Sequence, residues 1–171
     1  MTSKCYKILI NDRRYDDWKL YDGISLNEIE KINIEPVSVK LFSSDVFEIN
    51  NDNIKILHSS VRSMQTIPGI LVLNNNKSYG KYKDKYLYKC IPDDKRLPEF
   101  IVPYNLKLGF SKNIDNKYIV FKFDNWYGKH PQGTIVSVLG DVDILCNYYE
   151  YQLYCKSLYA SIQKFNKKTN D

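Results

Sequence analysis

The sequence predicts a mainly β protein, short strands arranged as small barrels, with one C-terminal helix. Three observations predict it. Apolar and polar residues alternate over runs of a few residues, the period of a half-buried strand. Gly, Pro and Asn clusters punctuate those runs, as in "NNNKSYG" (74–80) and "WYGKHPQG" (126–133). Sustained helical spacing is confined to "NYYEYQLYCKSLYASIQKF" (147–165), which puts Tyr149, Leu153, Leu158, Ile162 and Phe165 on one stripe with Asn147 as the cap.

Taken in order, "CYKILI" (5–10), "VSVKLF" (37–42) and "DVFEI" (45–49) read as strands. Between the first two, "SLNEIEKI" (25–32) reads as one or two helical turns, with Ser25 as N-cap and Glu28 three residues on. "PGILVL" (68–73) is a strand, and the Asn-rich turn leads toward "KYLYKCI" (85–91), which sets Tyr86, Tyr88 and Cys90 on one face. "PDDKRLPEFIVPY" (92–104) is a Pro-bracketed excursion holding a short strand, and "KYIVFKFD" (117–124) and "GTIVSVLG" (133–140) complete the set. Five or so short strands with Gly/Pro turns and no long helix describe an OB-fold barrel, although an SH3-like barrel would give a similar string. The expected organisation is a divergent or partial barrel over 1–62, a clear barrel over 63–145, and a helix and polar tail over 146–171.

Composition narrows the classes. A chain of 171 residues, 43% hydrophobic and 26% charged, is globular in character. It contains no apolar run near the roughly 18 residues of a membrane helix. Its N-terminal apolar stretch is too short for a signal peptide, so the expected location is the cytoplasm. Cys5, Cys90, Cys146 and Cys155 lack paired metal-ligand spacing and read as reduced, mostly buried thiols; with two histidines in the chain, no metal site is expected. Charge is uneven: residues 1–60 hold 8 Lys/Arg against 10 Asp/Glu, and residues 61–171 hold 17 against 10. A basic, tyrosine-rich second part points to a polyanion.

The basic and aromatic residues interleave most densely in "SYGKYKDKYLYK" (78–89). Tyr79, Tyr82, Tyr86 and Tyr88 alternate there with Lys81, Lys83, Lys85 and Lys89, and Lys77 precedes them. Single-stranded nucleic acid needs that mixture, cations for phosphates and aromatic faces for bases. The competing reading is a hairpin with a solubilising lysine fringe, and the alternation allows one set of tyrosines to face a ligand while the other packs inward. Lys95 and Arg96 read either as phosphate ligands or as local partners of Asp93 and Asp94. His130, with Lys129 before it and Pro131 after it, sits at a turn; it has no recognisable nucleophile or orienting partner, which disfavours catalysis. Trp126 reads as a packing residue or, alternatively, as a stacking platform.

Two blocks resemble a known family. "IPDDKRLPEF" (91–100) is similar to the D-K-R-[IL]-P signature in the second cold-shock-like domain of the RNase II/RNase R (RNB) exoribonucleases. Trp126, Pro131, Gly133, Ile135, Leu139, Gly140 and Asp141 match the end of that domain in order. "PGILVLNNNKSYGKY" fits its start, and "SSDVFEI" (43–49) resembles the closing strand of the preceding cold-shock domain. The likeness extends over about 41–145, and the style of the sequence is similar to ribonuclease-like genes of large DNA viruses. It implies an N-terminal module of a 3′–5′ exoribonuclease that guides single-stranded RNA, through Lys77, Tyr79, Lys81, Tyr82, Lys83, Lys85, Tyr86, Tyr88, Lys95, Arg96, Lys129 and His130. The alternative is a standalone protein-interaction or virion-associated OB module.

The family's catalytic domain uses clustered aspartates and magnesium. Asp93–Asp94 and Asp141/Asp143 fall at barrel turns instead, and the family's glycine between Leu-Gly and Asp is absent. Hydrolysis is therefore not expected of this chain alone, and no cofactor is expected in it. Magnesium would come with a catalytic domain, covalently attached or separate, and the chain reads as the front of a longer one.

Overall fold

A computed structural model describes residues 4–106 and 114–156. They form two compact units, Met1–Met64 with Lys95–Pro98, and Gln65–Asp94 with Glu99–Asp171. Both are built mainly from strands, as the alternating pattern requires.

The first unit contains β1 (Lys4–Ile10), β2 (Trp18–Asp22), β3 (Glu28–Ile29), β4 (Val46–Asn50), β5 (Asn53–His58) and the single turn α1 (Ser60–Ser63). The strands lie in the order β3-β2-β1-β4-β5, each antiparallel to its neighbour. Ile8 and Ile10 project from β1 into a core completed by Leu20, Leu41, Phe42 and Phe47, all fully buried. Burying each such side chain contributes about 1.5–3 kcal/mol. The β1–β2 turn is organised by Asp12, whose carboxylate accepts from the backbone N–H of Asp16 and Asp17 at 3.2 and 2.9 Å. Tyr15, inside that turn, is buried and donates its hydroxyl to the Leu41 carbonyl at 2.7 Å.

Below the core lies a buried ion pair. Asp45 is fully buried, accepts from the Phe42 N–H at 2.8 Å and pairs with Arg62 Nη1 at 2.8 Å. Arg62 also donates to the Lys40 carbonyl at 2.7 Å, so one guanidinium ties α1 to the segment before β4. Burial raises the Asp45 carboxyl above its ordinary range despite the Ser59, Phe42 and Arg62 contacts that pull it down.

Two local expectations for this unit fail. Residues 25–32 do not begin a helix: the Asp22 carboxylate accepts from the N–H of Ile24 and Ser25, both at 2.9 Å, and Leu26 takes φ 60°. An Asx turn anchored by Asp22 outcompetes Ser25 as a cap, and the chain continues into the two-residue strand β3. Residues 37–42 are not a strand. Pro36 starts a helical turn in which Glu35 accepts from the N–H of Ser38 and Val39, and Lys40 leaves it at φ 63°. Two further strands, β2 and β5, are not among those the sequence pattern predicts. The closing strand of the unit is consequently β5 rather than the 45–49 segment, which is β4.

The second unit contains β6 (Ile67–Leu71), β7 (Lys81–Tyr82), β8 (Lys85–Pro92), β9 (Phe100–Tyr104), β10 (Lys117–Asn125), β11 (Gln132–Asp141) and α2 (Leu145–Cys155). β6 pairs with both β10 and β8, which closes β6-β10-β11-β9-β8 into a five-stranded barrel, with β7 added as a short hairpin on β8. Every contact in the ring is antiparallel except β9 with β11. Three register shifts along β10–β11 supply the bulges that let long strands coil around a small barrel. This is the OB-fold, and the first unit repeats its strand order in an unclosed form.

The core of the second unit is fully buried Leu71, Cys90, Phe100, Val102, Ile119, Val120 and Phe121, with Phe100 and Phe121 edge to face at 5.0 Å. Gly133 faces this layer: a β-carbon there would stand 2.7 Å from Phe121 Cδ2. Gly140 has φ 135°, and a β-carbon there would run into the Asn147 side chain, which donates from Nδ2 to the Asp141 carbonyl at 3.1 Å. Two of the motif glycines are thus places where the barrel has no room for a side chain.

The helix begins earlier than its spacing indicates. Ile144 is its N-cap, without a side-chain cap bond, and Asn147 lies inside it holding β11. Its buried residue is Tyr151, stacked on Tyr118 at 4.4 Å, whereas Tyr149 is 60% exposed. Leu158, Ile162 and Phe165 lie outside the described residues. Of the four cysteines, all free, Cys90 alone is buried, contrary to the expectation of mostly buried thiols. Among the described residues no helix is long and apolar enough to cross a membrane.

Candidate nucleic-acid interface

OB-folds contact oligonucleotides with the outer face of their second and third strands and with the connections between strands 1–2 and 4–5. In the closed barrel those strands are β8 and β9, and those connections are 72–84 and 126–131. Alternation decides which side chains face outward. Tyr88 and Cys90 of β8, like Phe100 and Val102 of β9, point into the core, so Lys89 and Ile101 between them point out.

The two connections meet over this face. Tyr79 is positioned by its N–H, which donates to the Leu87 carbonyl at 2.8 Å, and Gly80 accepts from the Leu87 N–H at 2.8 Å. His130 is positioned through Pro131, whose carbonyl accepts from the Ile101 N–H at 2.9 Å. The rings of Tyr79 and His130 stand edge to face with centroids 6.0 Å apart. Lys77 lies 5.3 Å from the Tyr79 ring centre and Lys89 lies 5.8 Å from it. Lys89 also pairs with Glu99 at 3.3 Å. Its hydrogen bond to Tyr79, ahead of the Glu99 contact, raises its pKa. Burial, reinforced by Lys129, lowers the His130 pKa, so the imidazole is neutral at pH 7.

The β7–β8 hairpin extends the surface. Lys81 opposes Tyr86 across it and Tyr82 opposes Lys85, with Lys83 in the turn at φ 55°. Lys81 stands 4.8 Å from the Tyr86 ring centre and Lys83 5.4 Å from that of Tyr82. Tyr86 and Tyr82 are exposed, as are Lys77, Lys81, Lys83, Lys85 and Lys129.

Nine of the residues singled out from sequence lie on the two connections and the hairpin: Lys77, Tyr79, Lys129 and His130 on or beside the Tyr79–His130 contact, and Lys81, Tyr82, Lys83, Lys85 and Tyr86 on the β7–β8 hairpin. Tyr88 does not. It is 8% exposed and packs edge to face with Tyr104 at 6.4 Å, so its ring cannot receive a base without unfolding the strand. Lys95 and Arg96 are exposed but lie in the connection between β8 and β9, within the stretch Lys95–Pro98 that groups with the first unit. Trp126 is buried at 6% exposure, the packing alternative. The neighbouring Tyr127, 86% exposed in the 126–131 connection, is not among the residues that the sequence pattern selects. The signal that finds it is its place beside Gly128 at the loop tip. Sequence alternation places Lys89 in the hairpin fringe, whereas in the fold it lies against Tyr79 and pairs with Glu99.

The structure also gathers three carboxylates that sequence separates. Asp115, Asp141 and Asp143 each place an oxygen within 4.8 Å of the others. Lys117 fills that group with its own ammonium, which pairs directly with Asp141.

Residues 87–147 match the model of the Dis3-like cold-shock domain 2 (CSD2). The resemblance to RNB-family exoribonucleases is thereby supported. The cold-shock-like match runs from β8 into α2, so it includes Trp126, Lys129 and His130, while β6 and the Tyr79–Tyr86 hairpin lie ahead of it. No curated protein matches the chain.

Proposed function

We propose that the cold-shock-like barrel binds single-stranded RNA across β8 and β9, between the 72–84 and 126–131 connections. One observation carries the reading. Tyr79 and His130, from connections far apart in sequence, meet at 6.0 Å over the strand face on which OB-folds receive oligonucleotides. Lysines ring the contact to neutralise phosphates, and exposed Tyr82, Tyr86 and Tyr127 offer ring faces to bases. Recognition of this kind is independent of sequence and weakens with salt. By analogy with the family that the barrel resembles, such a module guides RNA toward a catalytic RNase domain, and its setting is the cytoplasm. The chemistry on the surface itself is capture by cations and aromatic rings.

The test is anisotropy of a fluorescein-labelled single-stranded RNA titrated with the full chain at low salt. Saturable binding is expected, weakened about 5- to 150-fold in Tyr79→Ala, as the loss of one stacked base implies. Absence of binding at low salt refutes the reading.

A further inference from the structure

Gln132 opens β11 and pairs in parallel with Ile101 of β9, which stands opposite Lys89 of β8. Residues paired directly across a sheet share a face, so these three form one row. Their neighbours fix which face it is. Cys90, Phe100 and Val102 are buried in the barrel core. A β-carbon on Gly133 would stand 2.7 Å from Phe121 Cδ2 and 3.2 Å from Val102 Cγ1. The row therefore lies on the outer side of the barrel, where Thr134 and Val136, further along β11, are exposed.

Gln132, on that same outer side, is covered. It is 8% exposed, and its Nε2 is buried with no acceptor among the described residues. The Tyr79–His130 contact belongs to this end of the row. Lys89 stands 5.8 Å from the Tyr79 ring centre, and Pro131, between His130 and Gln132, accepts from the Ile101 N–H at 2.9 Å. Within the row, neither the apolar Ile101 nor the Lys89 ammonium can accept a hydrogen bond. A buried amide donor left unbonded costs about 1–3 kcal/mol, which an apolar side chain of similar size would avoid. Folded chains leave few such groups, and this one sits where a ligand is received.

We infer that Gln132 is a specificity-determining residue of the RNA surface: its carboxamide donates to the carbonyl oxygen at the distal edge of one base stacked on Tyr79. The inference rests on the RNA reading above and deepens it. Tyr79 and His130 both sit on connections, and their rings meet edge to face rather than stacked. A base that stacks on Tyr79 takes the place of His130 at that ring and turns its edge toward the row beneath. Uracil and guanine carry an acceptor oxygen there, O4 and O6, whereas cytosine and adenine carry an amino group, which would meet Nε2 donor to donor. Phosphate contacts remain indifferent to sequence, so selection falls on one nucleotide among those bound.

The test is anisotropy of fluorescein-labelled oligouridine and oligocytidine of equal length, each titrated with the full chain at low salt. The two share ring size and backbone and differ in the edge they present. Oligouridine should bind about 3- to 10-fold tighter, as one hydrogen bond gained and one donor clash avoided imply. Gln132→Leu and Gln132→Met should bring the two affinities together, with the salt slope unchanged and the melting temperature at or above that of wild type. A wild-type preference that persists in either variant, shown folded by its melt, overturns the role. Equal binding of the two oligonucleotides by the wild type overturns it as well. Saturable binding in those cases leaves the RNA interface standing. Absence of binding to either oligonucleotide overturns the interface and this inference together.

Discussion

Replacing Lys81, Lys83 and Lys85 together by Ala should flatten the salt dependence of RNA binding by a calculable amount. Lys77, Lys81, Lys83, Lys85 and Lys129 are exposed around the two connections, and among the described residues none is held in an ion pair. Lys89 is left out of the sum because Glu99 already neutralises it at 3.3 Å. For single strands each neutralised phosphate adds about −0.7 to the slope of log K against log salt, so five lysines give about −3.5 and the triple variant about −1.4. Between 50 and 200 mM salt the wild type should then lose about 100-fold in affinity and the triple variant about 7-fold. The measurement is anisotropy with a labelled oligonucleotide at four or more salt concentrations. A variant whose affinity drops while its slope stays at the wild-type value would refute the assignment, because its lysines would be acting through structure rather than through phosphates.

Other substitutions probe the scaffold and the site. Arg62→Leu strands the buried Asp45 carboxylate and should cost about 3 kcal/mol at pH 7, seen as a lower urea midpoint for the first unit. Burial raises the Asp45 pKa above 3.8, so the folded state holds the proton at pH values where the unfolded chain has lost it. The deficit of Arg62→Leu should accordingly shrink as pH falls from 7 toward that raised value. Gly140→Ala meets both the left-handed φ of 135° and the Asn147 side chain, and should cost about 2 kcal/mol in thermal melts. Gly128→Ala, with open space around it, should stay within about 0.5 kcal/mol. His130 has its pKa lowered from 6.5, so RNA affinity should rise only below that pH as the imidazole gains charge, and His130→Gln should lose this rise. The same protonation opposes burial, so wild-type stability should fall over that acidic window.

The sequence carried the barrel further than it carried the site. Strict alternation made β1, β8 and β11 legible, and the glycines at 133 and 140 were readable as motif positions before Phe121 and Asn147 explained them. Errors arose where a single side chain reorganised the backbone. Asp22 captured two N–H groups that a helix at 25–32 would have needed, and Pro36 opened a turn where Val37, Val39 and Leu41 alternate like a strand. The short strand β5 was hidden because "NIKILH" has two residues half-buried and four exposed, too weak an apolar signal to stand out. The surface composition was legible, but its geometry was not. That Tyr79 meets His130, and that Tyr88 turns inward while Tyr86 projects, depends on which strands the barrel places side by side.

Each aromatic of the hairpin surface wears an ammonium on its ring: Lys77 on Tyr79, Lys83 on Tyr82, Lys81 on Tyr86. A base that stacks on the covered side must evict that lysine, and the evicted cation is then free to seek the phosphate of the same nucleotide. Stacking and charge neutralisation would become one exchange instead of two separate contributions. Deleting Lys81 would remove a phosphate partner yet uncover the ring beneath it, so its apparent cost should be larger in a Tyr86→Ala background than alone. A double-mutant cycle on the pair should close with a non-zero coupling energy.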